Sequence, residues 1–208
     1  MLAATLYPDR ATPLQLGALS VPIAGETECG DGWAAWSAGA LMSVFVCDGL
    51  GHGAGAAQAT RAALETFRVN AERPAQQVIE AVHGALRATR GAAVALAELD
   101  TRSGTMEYCG LGNIGGVVVG HDGREQHLVS LSGIAGHVMR RLHVQSYPWL
   151  PGSSLVMHSD GLGTKWTFDR YPGLVSRRPD VIAGVLLRDH ARRSDDATVV
   201  VTTHGGQQ

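Results

Sequence analysis

The sequence predicts an α+β fold in which mainly antiparallel strands pack against helices. Short apolar segments separated by turn residues recur between Ala93 and Leu131, as expected for an antiparallel meander. Residues Gly53 to Asn70 instead place Ala and Phe side chains at helical spacing, which predicts an amphipathic helix on one face of a sheet. At 208 residues and a net charge of −2, the chain is expected to form one domain over residues 1–208.

The same patterns predict the other elements. Residues 2–23 alternate loosely and contain three prolines, which predicts one or two edge strands. Pro74 suits the first turn of a second helix, and a third helix is predicted from Pro179 to Arg192. Residues 132–143 favour a loop, and residues 164–178 a flap or connecting loop beside the site. The remaining strands are predicted at Trp33–Ala38, Leu41–Cys47, Ala93–Leu99, Met106–Gly110, Gly115–Val119, Gln126–Leu131, Val144–Trp149, Ser154–His158 and from Ala197 onward.

The segment LMSVFVCDGLGHGAG, Leu41 to Gly55, is predicted to carry the functional centre. Its apolar first half is typical of a buried strand, so Asp48 lies at the mouth of a core strand. A carboxylate there is costly to desolvate unless a cation binds it, and a metal ion is the usual cation. The glycines that follow let the backbone turn sharply and approach an ion or a phosphate. The alternative is that Asp48 merely caps the next helix.

Two further acidic sites share this pattern. Asp160 follows the apolar run before His158, and the pair Asp195-Asp196 precedes the closing apolar run. If the closing strand runs antiparallel to the other two, Asp48, Asp160 and Asp195 arrive at the same edge of the sheet. The sequence therefore predicts a cluster of carboxylates.

A fourth carboxylate is placed by the predicted hairpin around Gly39-Ala40. Gly in the first position of a two-residue loop suits a type II′ turn. The resulting register puts Asp31 opposite Asp48, close enough for both to reach one cation. A longer loop would shift the register, in which case Glu28 is the reserve ligand.

Composition excludes several classes of protein. The basic residues are scattered without the stripe that nucleic acids require, so no nucleic-acid partner is expected. Cys29, Cys47 and Cys109 are an odd number without CxxC spacing, which argues against a disulfide framework and a structural zinc site. No apolar run reaches the length of about 20 residues that spans a bilayer. A cytoplasmic protein without a membrane partner is therefore expected.

The order of five short motifs resembles that of the metal-dependent PP2C-type (PPM) protein serine/threonine phosphatases. The DGLGHG form of the second motif and the small size look most like the bacterial branch that includes SpoIIE, RsbU and RsbX, and the architecture is most similar to RsbX. This resemblance implies an α/β/β/α sandwich of two mainly antiparallel sheets flanked by helical layers. The motifs are Asp31, Asp48-Gly49, Gly112-Asn113, Ser159-Asp160-Gly161 and Asp195-Asp196-Ala-Thr.

The resemblance also assigns roles to these residues. Asp48 looks like the carboxylate that bridges two Mn²⁺ or Mg²⁺ ions, with the carbonyl of Gly49 as a ligand of one of them. Asp31, Asp160 and Asp195 resemble the remaining ligands, and oxygen ligands suit these hard ions. Asp48, Asp160 and Asp195 are accordingly the expected catalytic residues.

Supporting roles are expected for three more residues. Gly161 and Asp196 would support the ligands from behind or through the backbone, although Asp196 could be a simple turn residue. Larger eukaryotic members carry a His two positions after the bridging Asp, where this chain has Leu50. His52 is displaced by two residues, so it is assigned to the surroundings of the substrate phosphate, against the alternative of a solvent-facing helix start.

By the same resemblance, two ions would activate a water for in-line attack on a phosphoryl group. The expected substrate is phosphoserine or phosphothreonine of a bacterial regulatory protein, such as a STAS-domain component of a stressosome or partner-switching module. One rival is a catalytically silent pseudophosphatase that acts as a protein-binding module. Another is a nucleotide-binding enzyme, although GLGHGAG lacks the Lys-Ser/Thr of a P-loop and the GxGxxG spacing.

Overall fold

The computed structural model describes residues 2–6 and 13–205, with side chains for residues 13–205. Its helices are α1 (Gly53–Asn70), α2 (Ala75–Ala85) and α3 (Pro179–His190), with short 3₁₀ helices at Leu86–Ala88 and Phe168–Arg170. Its strands are β1 (Leu2–Leu6), β2 (Leu14–Val21), β3 (Asp31–Ala38), β4 (Leu41–Gly49), β5 (Ala92–Asp100), β6 (Thr105–Leu111), β7 (Gly115–Val119), β8 (Glu125–His127), β9 (Gln145–Pro148), β10 (Ser154–His158) and β11 (Ala197–His204).

These elements form the four layers that the resemblance implied. One sheet has six strands in the order β1-β2-β11-β10-β7-β8, the other has five in the order β3-β4-β5-β6-β9, and neighbouring strands are antiparallel. Apolar side chains such as Val44, Leu99 and Met157 fill the space between the sheets. Helices α1 and α2 cover the outer face of the five-stranded sheet, and α3 covers that of the six-stranded sheet. The predicted fold class is therefore confirmed.

The register of the β3–β4 hairpin is as predicted. Asp31 pairs with Asp48, and the two-residue loop begins at Gly39, which has a φ of 58°. Because the register is as predicted, the reserve ligand Glu28 is not needed. Its Oε2 forms an ion pair with Nη1 of Arg61 at 2.9 Å.

Several boundaries differ from the predictions. β1 is an edge strand, but β2 is not, because β11 pairs along its other side. Helix α3 ends two residues early, since the N–H of Arg192 donates to the carbonyl of Gly161 instead of continuing the helix. The strand predicted at Gln126–Leu131 ends at His127, because the chain then crosses to the other sheet, where Leu131 donates to Gly110.

Of the two predicted alternatives, residues 164–178 form a connecting loop between β10 and α3, and not a flap over the acidic cavity. Trp166 and Phe168 are buried in the apolar cluster between the six-stranded sheet and α3. This segment therefore completes the outer core. His158 is 4 % exposed and donates from Nδ1 to the carbonyl of Ser159 at 2.8 Å.

No helix in the described part of the chain is long and apolar enough to cross a bilayer. The assignment of residues 1–208 to one domain stays a prediction.

Candidate metal centre

The predicted carboxylates come from both sheets. Asp31 begins β3 and Asp48 lies at the end of β4, in the five-stranded sheet. Asp160 follows β10 and Asp195 precedes β11, which are antiparallel neighbours in the six-stranded sheet. The expectation that the acids share one sheet edge is therefore wrong. They approach each other at one end of the sandwich, where two stacked sheets present their strand ends.

Three of the four aspartates line one cavity. Asp48, Asp160 and Asp195 surround a space of about 280 Å³ together with Asn113 and His52. Asp31, only 6 % exposed, lines a different cavity of about 500 Å³. Among residues 13–205, no three His, Cys, Asp or Glu side chains are arranged so that they could hold a metal ion as they stand.

Burial and mutual repulsion disfavour the charged forms of two of these groups. Desolvation, with further contributions from the charges of Asp31 and Asp160, raises the pKa of Asp48 to about 8. Desolvation is also the main cause that raises the pKa of Asp31 to about 7. The Oδ2 atom of Asp31 is buried and has no hydrogen-bond partner among the described residues. The predicted ligand atoms are all oxygens, and one of them is a buried carboxylate oxygen without a partner. Both features fit a hard divalent cation.

Asp160 is held by Asn113, which the sequence indicated only as part of the Gly112-Asn113 motif. Gly112 has a φ of 106°, and the turn it starts directs Asn113 towards Asp160, where Nδ2 donates to Oδ2 at 2.6 Å. Burial and the charge of Asp195 raise the pKa of Asp160, while the guanidinium of Arg192 and the Asn113 hydrogen bond oppose that rise. Asn113 thus fixes the orientation of one predicted ligand.

Replacing Asn113 by Ala is expected to weaken Mn²⁺ binding by about 10- to 100-fold, because a ligand that loses its orienting hydrogen bond must be ordered by the ion itself. Titration calorimetry with Mn²⁺ measures this effect. The matched control is Asn70→Ala, which removes a comparable side-chain amide bond to the carbonyl of Thr66 on α1. Unchanged Mn²⁺ affinity in Asn113→Ala would contradict the orienting role.

Asp196 is a structural clamp and does not line the cavity. It is 2 % exposed, and its two carboxylate oxygens accept hydrogen bonds from the N–H groups of Ile23 and Gly30, both at 2.8 Å. These groups lie at the two ends of the loop that precedes Asp31. Asp196 therefore fixes the approach of the chain to β3, which is a more specific role than the support expected from the sequence.

Replacing Asp196 by Ala is expected to lower the free energy of unfolding by about 2–4 kcal/mol, because the buried N–H of Gly30 and the part-buried N–H of Ile23 lose their acceptor. Urea unfolding measures the change. Asp122→Ala is the control, since Asp122 also accepts a backbone N–H, from Arg124, but at the surface. That variant is expected to stay within about 0.5 kcal/mol of the wild type. A similarly small loss for Asp196→Ala would refute the clamp.

Two glycines allow backbones to approach closely at the centre. A Cβ on Gly49 would collide with the carbonyl of Ala56 on α1, so only Gly lets the helix start beside the end of β4. A Cβ on Gly161 would collide with the carbonyl of Asp196. The close packing required by Gly161 joins the Asp160 turn to the Asp195-Asp196 turn.

The glycine-rich turn after Asp48 carries charged neighbours that the sequence did not indicate. Nδ1 of His52 lies 2.8 Å from Oε1 of Glu26, so the side chain is paired, although 58 % of it remains exposed. The guanidinium of Arg90 lies against Gly55, where any larger side chain would meet its Nε. These contacts join residues far apart in the sequence and leave no local signal.

Known proteins share this architecture. Phosphoserine phosphatase RsbX of Bacillus subtilis (strain 168) is 23% identical over 138 residues, which are 66% of this chain and 69% of RsbX. A crystal structure of RsbX in complex with magnesium matches with a TM-score of 0.82 and 20% identity, covering 97% of this chain and 98% of that one. A chain described with the bacterial stressosome, a modular system adapted to control secondary messenger signalling, matches with a TM-score of 0.84 and 25% identity over 91% of this chain and 98% of that one.

The two-sheet sandwich with acidic strand ends defines the class of this protein, which has the PP2C-like fold of its structural neighbours. Within that class the chain belongs to the family of Stage II sporulation protein E (SpoIIE), whose model matches residues 38–204.

Proposed function

We propose that this protein is a divalent-metal-dependent phosphatase that hydrolyses phosphoserine or phosphothreonine on a bacterial regulatory protein. The observation that carries the proposal is the cavity shared by Asp48, Asp160 and Asp195, which come from two sheets and are fixed by long-range contacts. The relatives support the choice of metal, since one structural neighbour was crystallised with magnesium and another with two manganese ions.

The proposed ligands are the carboxylates of Asp31, Asp48, Asp160 and Asp195 and the carbonyl of Gly49. When bound, two Mn²⁺ or Mg²⁺ ions supply Lewis acidity, which activates water and offsets the charge of the phosphoryl oxygens. Asp48 faces Asp31 across the hairpin, which supports the proposal that these two carboxylates would hold a common ion.

The chain's own groups do the positioning. Asn113 holds Asp160 through its 2.6 Å hydrogen bond, and Asp196 holds the loop that leads to Asp31. His52 lines the cavity and is kept in place by Glu26, so it can contact the substrate phosphate or its leaving oxygen. Arg90, beside the glycine-rich turn, supplies a positive charge for the phosphoryl oxygens.

The proposed substrate is a phosphorylated STAS-domain protein of a stressosome or partner-switching module. The support is the likeness to a phosphoserine phosphatase, RsbX, and to a chain described with the bacterial stressosome. This substrate follows from those relatives and not from the geometry of the cavity.

The test is hydrolysis of p-nitrophenyl phosphate and of a phosphorylated STAS-domain protein by the purified chain, with Mn²⁺, with Mg²⁺ and after treatment with EDTA. We expect metal-dependent turnover of both substrates. Binding of the phosphoprotein without any turnover would favour the rival function, a pseudophosphatase that acts as a binding module. Turnover of p-nitrophenyl phosphate alone would leave the enzyme class intact and refute the proposed substrate.

A further inference from the structure

A large apolar groove lies next to the acidic cavity. It encloses about 840 Å³ between the end of β2 and one face of α3. On the side of α3 it is lined by Gly184, Leu187 and Arg188, which follow helical i, i+3, i+4 spacing, and by Ala191 just after the helix. Val21 and Ile23 form much of the opposite wall. The lining is thus mostly apolar, and Arg188 adds a charged group on the helix side.

The groove lies next to the acidic cavity. Asp195 lines both spaces, so it forms part of the wall that they share. The wall between them is fixed, since Arg192 donates its N–H to the carbonyl of Gly161 at 2.7 Å and Gly163 donates to His190 at 2.9 Å. The end of α3 is therefore attached to the turn that carries Asp160.

Positive charge lies where the groove meets the cavity. Arg192 and Arg193 are both exposed and line the groove, and neither has a salt-bridge partner among residues 13–205. Arg188, farther along, is already paired with Asp189 at 2.6 Å. Going away from Asp195, a bound chain would first meet these two guanidinium groups and then a mostly apolar surface.

We propose that this groove binds the segment of the phosphoprotein substrate next to the phosphorylated residue, with an acidic residue against Arg192 and Arg193 and a large apolar residue on α3. The inference rests on the proposed function and names the chemistry that selects its substrate. The groove and the cavity share Asp195, so a chain whose phosphorylated residue lies in the cavity can extend into the groove. Its charge must complement the two arginines.

The dimensions limit where these residues stand in the substrate. Gly184 and Ala191 are seven residues apart along α3 and its C-terminal end, about 10 Å at roughly 1.5 Å per residue. An extended chain covers that length with about three residues at roughly 3.3 Å each. The acidic and apolar residues are therefore expected within about three positions of each other, with the acidic residue nearer the phosphorylated one.

The test uses the full chain with Mn²⁺ and synthetic phosphoserine peptides. Two reference peptides carry an Asp and then a Leu beyond it, either before or after the phosphoserine. The peptide with the higher kcat/KM is used as the reference. Replacing its Leu by Ser is expected to lower kcat/KM about 10-fold, because the apolar contact is lost. Replacing its Asp by Lys is expected to lower kcat/KM several-fold, and less at high salt.

Variants locate the effect on the molecule. Gly184→Leu places a side chain in the groove, where a Cβ would have Leu19 at an ordinary 3.8 Å, and should bring the Leu-over-Ser preference close to one. Gly84→Leu on α2, with nothing within 4 Å of its Cβ, should keep the preference. Arg193→Glu should favour the Lys peptide over the Asp peptide, whereas Arg87→Glu on the opposite helical layer should not. Ratios between peptides cancel any general loss of activity.

The outcomes separate this inference from the proposed function. Equal kcat/KM for all peptides, with p-nitrophenyl phosphate still hydrolysed, would overturn the groove and leave the phosphatase standing. An unchanged preference in Gly184→Leu would also overturn the groove assignment. The same holds if the variant lowers only the melting temperature, because another part of this chain would then cover the groove. No metal-dependent hydrolysis of any substrate would refute the proposed function, and the groove assignment with it.

Discussion

Asp48→Asn is expected to lower kcat/KM by about 10²–10³-fold or more, because the proposed bridging carboxylate loses the charge that holds both ions and the chemistry depends on those ions. The assay is Mn²⁺-dependent hydrolysis of p-nitrophenyl phosphate. Asp122→Asn, in an exposed turn, is the control and is expected to retain wild-type activity.

The fold of Asp48→Asn should survive, for an electrostatic reason. Burial and the neighbouring aspartates raise the pKa of Asp48 to about 8, so the charged side chain is unfavourable in the metal-free fold. Asn has nearly the same shape without the charge. Without metal, the variant should therefore melt at the wild-type temperature or higher.

Metal-dependent stability gives a readout that does not require activity. Mn²⁺ at about 100 times its Kd should stabilise the wild type by about 2.7 kcal/mol, which raises the melting temperature by about 5–10 °C for a chain of this size. Asp48→Asn should show little of this shift. Near-normal turnover, or a full Mn²⁺ shift in the variant, would refute the assignment of Asp48.

Local sequence patterns were sufficient to predict the half of the proposed metal centre that lies in the five-stranded sheet. The two-residue loop at Gly39-Ala40 and the period-two geometry of strands fix the register, so the pairing of Asp31 with Asp48 followed from the sequence. Helix α1 was also predicted at its observed bounds, since its apolar spacing is strong and glycines precede it. These features depend only on residues close together in the chain.

The other half depends on topology, which local patterns do not encode. The run before Asp160 and the run after Asp195 both read as strands, but nothing in either indicates a second sheet. The bonds from Asn113 to Asp160 and from Gly30 to Asp196 join residues 47 and 166 positions apart. Trp166 was expected beside the site because its surroundings are loop-like, yet it is buried under α3.

Gly161→Ala is expected to be the most damaging of the glycine substitutions, because the added methyl group would collide with the main chain of Asp196. A backbone carbonyl cannot rotate away as a flexible side chain can. Both sides are also fixed: Ser159 donates its N–H to Thr198 at 3.1 Å, and the N–H of Thr198 donates to the hydroxyl of Ser159 at 3.0 Å. The strain must therefore separate the two turns.

Two measurements should respond together. We expect the free energy of unfolding to fall by about 3 kcal/mol, at the upper end for overpacking, and the affinity for Mn²⁺ to fall as Asp195 moves away from Asp160. Gly161 is not among the glycines with positive φ, so the loss would be steric and not conformational. Gly84→Ala, in α2 with open space around it, should instead gain up to about 1 kcal/mol from helix propensity. If Gly161→Ala kept both stability and Mn²⁺ affinity, the turns would not be in contact, and the centre could not be assembled from the two sheets in the way described.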